Sequence, residues 1–170
     1  MKANDPLKSN CPLARAMEIL GEGWTLLVLR EAFLGTRRFN DFERELGIAR
    51  NVLTVRLRKL VDAGIFDRVP SAEDRRVVEY RLSRAGRELV PVLVSISQWS
   101  MTWLCDQQVP VRFVDRASGE EIPPVQVRNR LGEVLGARDI VMLPGPGADA
   151  AVKRRYGSLL ESLSSQGTEG

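Results

Sequence analysis

The side chains best equipped for chemistry in this chain are arginines, and they are concentrated. Ten residues, Arg50 to Lys59, carry four cations (Arg50, Arg56, Arg58, Lys59), and no acid follows until Asp62. A guanidinium fork suits phosphate or the exposed edge of guanine, and an asparagine such as Asn51 suits adenine in the same two-bond manner. Other chemistries are poorly supplied. With no histidine in 170 residues, Ser-His and Cys-His nucleophile pairs and histidine-ligated metals are excluded. Cys11 and Cys105 are too few for a disulfide framework and lack the CxxC spacing of a zinc site. Asp115, Glu120, Glu121, Glu133 and Asp139 show neither paired nor metal-ligand spacing, and Pro144-Gly-Pro-Gly147 lacks the Gly-Lys-Ser/Thr of a phosphate loop. No enzyme, metal or cofactor is expected.

The net charge of +3 is modest, so its location decides what it means. Residues 36–86 hold twelve basic and eight acidic side chains, whereas the flanking segments hold four against four and nine against ten. The whole surplus lies in the middle of the chain, the footprint of a polyanion site. At 44% hydrophobic and 28% charged, the chain can build a packed core. It has no apolar run of the roughly 20 residues that a membrane helix needs. Residues 1–10 are polar and unlike a secretory signal, so the expected location is the cytoplasm, without a membrane partner.

The elements that must position the arginines follow from periodicity. Cys11-Pro12 opens a helix, since proline suits the first helical position, and Leu13, Met17 and Leu20 recur at helical spacing before Gly21 and Gly23. Residues 24–34 are apolar on nearly every side and predict a central helix with Trp24 in the core. A short third helix is predicted over Phe39–Leu46, its start marked by the capping-box spacing of Asn40 and Glu43, with Gly47 as the turn. A fourth covers 49–63, its inward stripe being Leu53, Leu57, Leu60 and Val61, and Gly64 ends it. Strand-like runs at 66–69 and 77–82 flank a charged tip at 70–76. Ser83 then caps a long helix reaching about 105, kinked at Pro91.

Three helices, a turn, a basic helix and a hairpin make a winged helix-turn-helix: an α+β fold, mainly α. With the leucines inward, Asn51, Val55, Arg58 and Lys59 turn outward, and Arg50 and Thr54 sit at the end that lies nearest base edges in this docking mode. Val55 can pack on a thymine methyl. Arg56 points sideways, toward a phosphate or an internal ion pair. Arg75 and Arg76 at the hairpin tip can reach the minor groove or phosphates, and Arg38 completes the DNA-contact set. A solvated charged face, or a winged-helix protein-interaction module that never touches DNA, are the alternatives. An acid-free helix start and a basic hairpin tip within one segment favour double-stranded DNA.

Residues 11–104 resemble the HxlR-type regulators, a bacterial branch of winged-helix proteins related to the MarR group. The matching runs are Cys11-Pro12, Gly23-Trp24-Thr25-Leu26-Leu27, Leu29-Arg30-Glu31, Gly35 with Arg37-Arg38-Phe39, Phe42, Leu53-Thr54 with Arg56-Leu57, Ala63-Gly64, Glu79-Tyr80 with Leu82, and Gly86. The resemblance implies a cytoplasmic homodimer that binds inverted repeats, joined through its N-terminal segment and the helix after the wing. It agrees with the surplus of apolar positions there, for which Leu89, Leu93, Ile96, Trp99 and Trp103 are the expected dimer contacts. Some members sense oxidants through a cysteine at the position of Cys11, so Cys11 is a candidate redox sensor. A small-molecule effector is the other candidate input. Three positions depart from the family habit: Ala49-Arg50 replaces a capping serine and a proline, and Val55 replaces a glutamine.

Composition divides the chain into a DNA-binding and dimerisation domain at 1–107, a small β-rich extension at 108–165, and a flexible tail at 166–170. In the extension, 111–114, 125–128 and 140–143 read as short strands and 148–163 as a last helix. The resemblance does not reach it.

Overall fold

The computed structural model describes residues 10–105 and 109–157, which fall into two compact units: Ile19–Val125, and a second drawn from Met1–Glu18 and Gln126–Gly170. The elements in chain order are α1 (Pro12–Leu20), α2 (Thr25–Phe33), α3 (Phe39–Leu46), α4 (Arg50–Asp62), β1 (Phe66–Pro70), β2 (Val78–Leu82), α5 (Arg84–Glu88) and α6 (Val90–Trp103). A further helical stretch, α7, covers 150–157. The expected tail and the far end of the last helix lie outside the described residues.

In the unit Ile19–Val125, one core joins Val28 and Leu29 of α2, Phe42 of α3, Leu53, Leu57 and Leu60 of α4, Phe66 of β1 and Val94 of α6. The Phe42 and Phe66 rings meet at 6.3 Å, tilted 43°. β1 and β2 pair antiparallel from Phe66↔Leu82 to Pro70↔Val78, and a bridge between Arg38 and Glu79 adds the lead-in to α3 alongside β2. The inward stripe of α4 is as its leucine spacing predicts. Its C-terminus closes in a Schellman arrangement, the Ile65 N–H reaching the Leu60 carbonyl (2.9 Å) and the Gly64 N–H that of Val61 (2.9 Å), with Gly64 at φ 69°.

Three local expectations shift. The α3 N-cap is Arg38, with no side-chain cap bond, so Asn40 lies inside the first turn and makes no capping box. α2 starts at Thr25; Trp24 precedes it with φ 74°, a left-handed conformation rare outside glycine, and is 41% exposed, not in the core. The long helix after the wing breaks fully at Leu89. Pro91 cannot donate a helical bond and stands instead in the first turn of α6, while Ser83 caps α5 by accepting from the Gly86 N–H at 3.1 Å.

The segment after α6 carries less ladder than its apolar runs suggest. Among the described residues it holds two bridged turns, Val114↔Glu121 and Arg128↔Val134, and no longer strand; 140–143 forms no regular element. The runs are four residues long and bounded by prolines, and each turn is closed by a side chain. Asp115 Oδ1 accepts from the N–H groups of Ala117 and Ser118, and Asn129 Oδ1 from those of Leu131 and Glu133. The first turn is tied to α6 by Gln98, which accepts from the Val125 N–H at 2.8 Å and donates to the Pro123 carbonyl at 3.3 Å. In the second unit, Asp149 caps α7 by accepting from the Val152 N–H at 2.9 Å, and Asn10 Nδ2 donates to the Gly147 carbonyl at 2.5 Å.

Candidate nucleic-acid interface

The solvent side of α4 is set by its three buried leucines. Opposite them, Asn51, Thr54, Val55 and Arg58 are exposed, with Arg50 at the helix start. Thr54 donates its hydroxyl to the Arg50 carbonyl at 2.8 Å, which leaves its oxygen able to accept. The Arg58 guanidinium is 82% exposed and only 3.7 Å from Asp62, a loose pair that leaves its donors available. Arg50 is anchored: it bonds Glu43 of α3 at 2.8 Å and lies over the Phe39 ring at 4.7 Å.

Two cations of the expected DNA-contact set, Arg56 read as sideways and Lys59 read as outward, are held by an acid of the same unit. Arg56 is 18% exposed and donates to the Gly23 carbonyl at 3.1 Å while paired with Glu22. Lys59, half-buried, bonds the same Glu22 at 2.6 Å. Arg56 therefore takes the internal ion pair that its sideways position allowed. Lys59 is drawn in with it because it lies three residues on along the helix surface.

At the hairpin tip, Asp74 folds the turn by accepting from the Arg76 backbone N–H (3.0 Å) and from its guanidinium (3.2 Å). Arg76 and its backbone N–H hold the Asp74 carboxyl below the usual carboxylate range. Arg75 is exposed at the same tip. Arg38 bonds Glu73 at 2.5 Å, fastening the tip to the start of α3 and raising the arginine's own pKa. Buried Glu79 is bonded by Arg81 at 2.8 Å, and that guanidinium, then the Ser71 hydroxyl, keep its carboxyl below the ordinary value. Arg37 and Arg44, absent from the expected contact set, line a polar cleft of about 530 Å³ with Arg38, Asp41, Glu73 and Glu79. The basic run Arg37-Arg38 was the available signal for Arg37.

Three of the acids after α6 are occupied with backbone and neighbours. Asp115 closes its turn, Asp139 accepts from the Gly136 N–H at 2.7 Å, and Glu133 accepts from Asn129 at 2.6 Å. Among the described residues no group of three or more cysteines or acids is placed to hold a metal. No helix among them is long and apolar enough to cross a membrane.

A tri-helical core, a tight Gly47 turn, an exposed polar face on the next helix and a basic hairpin tip define a winged helix-turn-helix regulator of the DNA-binding type. The HxlR-like helix-turn-helix model matches residues 19–108, and the chain belongs to that family. It is 44% identical to Rv3095 of Mycobacterium tuberculosis, named an uncharacterised HTH-type transcriptional regulator, over 139 residues covering 81% of this chain and 88% of that one. Among solved structures it is similar to PA1607, a candidate transcription factor (TM-score 0.77, 38% identity, 84% of this chain and 100% of that one). The redox regulator HypR in its oxidised form matches over 54% of this chain and 96% of its own (TM-score 0.50, 30% identity). The matches to Rv3095 and PA1607 are longer than the family domain itself.

Proposed function

We propose that this HTH-type regulator binds an inverted-repeat operator as a homodimer, with α4 in the major groove and the tip at 70–76 on the minor groove or backbone. The observation that carries the reading is the open face of α4, where Asn51, Thr54, Val55 and Arg58 are exposed together, with Arg75 exposed at the hairpin tip. Arg58 and Asn51 have the donor geometry for guanine and adenine, and Val55 fits a thymine methyl. Arg38, Arg50 and Arg76 exchange their surface acids for phosphates, a substitution that costs little because exposed pairs contribute less than about 1 kcal/mol. Arg56 supports the helix from behind, and Lys59 joins the phosphate contacts when Glu22 releases it.

The test is selection of bound fragments from genomic DNA, followed by titration at several salt concentrations. Binding should fall by about 0.9 log units per log unit of salt for each phosphate held, and Arg58→Ala and Arg75→Ala should each flatten that slope by up to about 0.9 where the lost side chain holds a phosphate. No enriched fragment, or binding indifferent to salt and to both substitutions, would leave a protein-interaction module as the better description.

The regulator also takes an input, a small molecule or an oxidant at Cys11, in the cytoplasm of a bacterial cell. Cys11 immediately precedes α1, and HypR, to which this chain is similar, is called a redox regulator. Loss of an oxidant response in Cys11→Ser supports the redox arm; a response unchanged in that variant removes it.

A further inference from the structure

The second unit supplies none of the proposed DNA contacts, yet it contains a cavity of about 670 Å³. The walls come from two stretches far apart in sequence, the start of α1 and the segment from 141 through α7. Leu13, Met142, Leu143 and Val152 are among its apolar residues, and the described lining residues with polar side chains are Asn10, Cys11 and Tyr156. Among the described lining residues none carries a charged side chain, in a chain where 28% of residues are charged. The rim is fastened by Asn10, which donates to the Gly147 carbonyl at 2.5 Å and accepts from Arg15 at 3.0 Å, and the α7 wall by the Asp149 cap.

A concave, mostly apolar space of several hundred Å³ with a few polar groups has the dimensions and chemistry of a small-molecule site. Several of its side chains stay open to water; Leu13 is 68% exposed and Met142 65%. Covering that apolar surface is the available driving force. An ion entering would lose hydration and meet no charged side chain among the described lining residues, Arg15 standing at the rim bonded to Asn10. We propose that this cavity binds a small, uncharged, largely apolar molecule, with a polar atom meeting Asn10 or Tyr156. The proposal gives the ligand input above a location and rests on that reading for its regulatory meaning. Its test contains no DNA, so the two stand or fall separately.

The test uses the full chain and two probes sharing one aromatic skeleton: neutral phenylnaphthylamine and its sulfonate, anilinonaphthalenesulfonate. Fluorescence titration should show saturable binding of the neutral probe, one per chain, tighter than the sulfonate by about tenfold or more. Ala148→Phe, which fills the space, and Val152→Asp, which charges its wall, should each abolish that binding, while Val92→Ser, exposed on α6, leaves it unchanged. Circular dichroism monitors folding. Should either lining variant unfold, protection of Cys11 from iodoacetamide by the neutral probe, in a Cys105→Ser background, replaces it. Unsaturable binding, equal affinity for the two probes, or saturable binding that survives both lining variants and leaves Cys11 labelling unchanged would overturn the proposal.

Discussion

Glu22 holds two cations of α4 at once, Arg56 and Lys59, and so decides which arginines and lysines of that helix remain for DNA. Replacing it with Gln removes the charge while keeping an acceptor. Lys59, 37% exposed, is then released toward solvent, so Glu22→Gln should bind operator more tightly at low salt and steepen the salt slope by up to about 0.9, one extra phosphate. An unchanged slope would mean that Lys59 never reaches the backbone. Arg56→Ala should act on stability instead. Its guanidinium bonds the Gly23 carbonyl as well as Glu22, so its loss should cost about 1–2 kcal/mol of stability in urea unfolding and leave the salt slope alone. A slope cut as deep as that of Arg58→Ala would make Arg56 a DNA contact after all. The outward arginine and asparagine were legible in the sequence because α4 is regular and its leucines fix the rotation. The acids that claim Arg38, Arg56 and Lys59 were not, because Glu73 stands 35 residues from Arg38, and Glu22 stands 34 from Arg56 and 37 from Lys59, and pairing depends on distance in space. Glu43, seven residues from Arg50 across the Gly47 turn, was within reach of a local argument.

α5 is only five residues long, and its position depends on Gly86 lying flat against the chain before β1. A Cβ there would collide with the Ile65 carbonyl and press on Leu82 Cδ2 at 3.0 Å. An exposed helical Gly→Ala change stabilises by about 1 kcal/mol. Here the sign should reverse, with Gly86→Ala lowering stability by about 2 kcal/mol in urea unfolding; a gain would show that the contact relaxes freely. The start of α4 offers the converse. Ala49 is its N-cap and makes no side-chain bond, so Ala49→Ser should stabilise by about 1 kcal/mol, measured in the same way. The hairpin carries the acid sensitivity. Glu79 and Asp74 are both lowered, by Arg81 and Arg76 respectively, so what they contribute is fully present above the ordinary carboxylate range near pH 4 and is lost as pH falls through their lowered values. Thermal midpoints should therefore drop on acidification below about pH 4, and less so in Glu79→Gln; identical acid limbs would assign the loss elsewhere. Helices α2 to α4 and the hairpin were readable because each has its own period and its own stop residue. The runs after α6 misled because four apolar residues satisfy a strand pattern, while a ladder needs a facing run, and 111–114 and 125–128 each find only a single bridge within their own turn.

At the scale of the molecule, α6 has two different sides. Val94 enters the core, while Ile96, Trp99 and Trp103 face outward, the tryptophans 57% and 72% exposed and four residues apart on one stripe. Leu89 and Leu93 are half-buried between the two. Exposed paired tryptophans on a helix cost free energy in water unless something covers them, and a second copy of the chain supplies the same stripe in return. Because these side chains lie outside the core of their own unit, replacing them should leave the fold of one chain intact. The double variant Trp99→Ser, Trp103→Ser should sediment as a monomer where the parent is a dimer. Its effect on DNA then follows from counting. A dimer reads two half-sites about 10 base pairs apart with two copies of α4, so a monomer keeps half the phosphate contacts and should show about half the parent's salt slope. Weakened binding with an unreduced slope would mean that the two chains still engage DNA together through another surface. A parent that sediments as a monomer at micromolar concentration would remove α6 as the interface altogether.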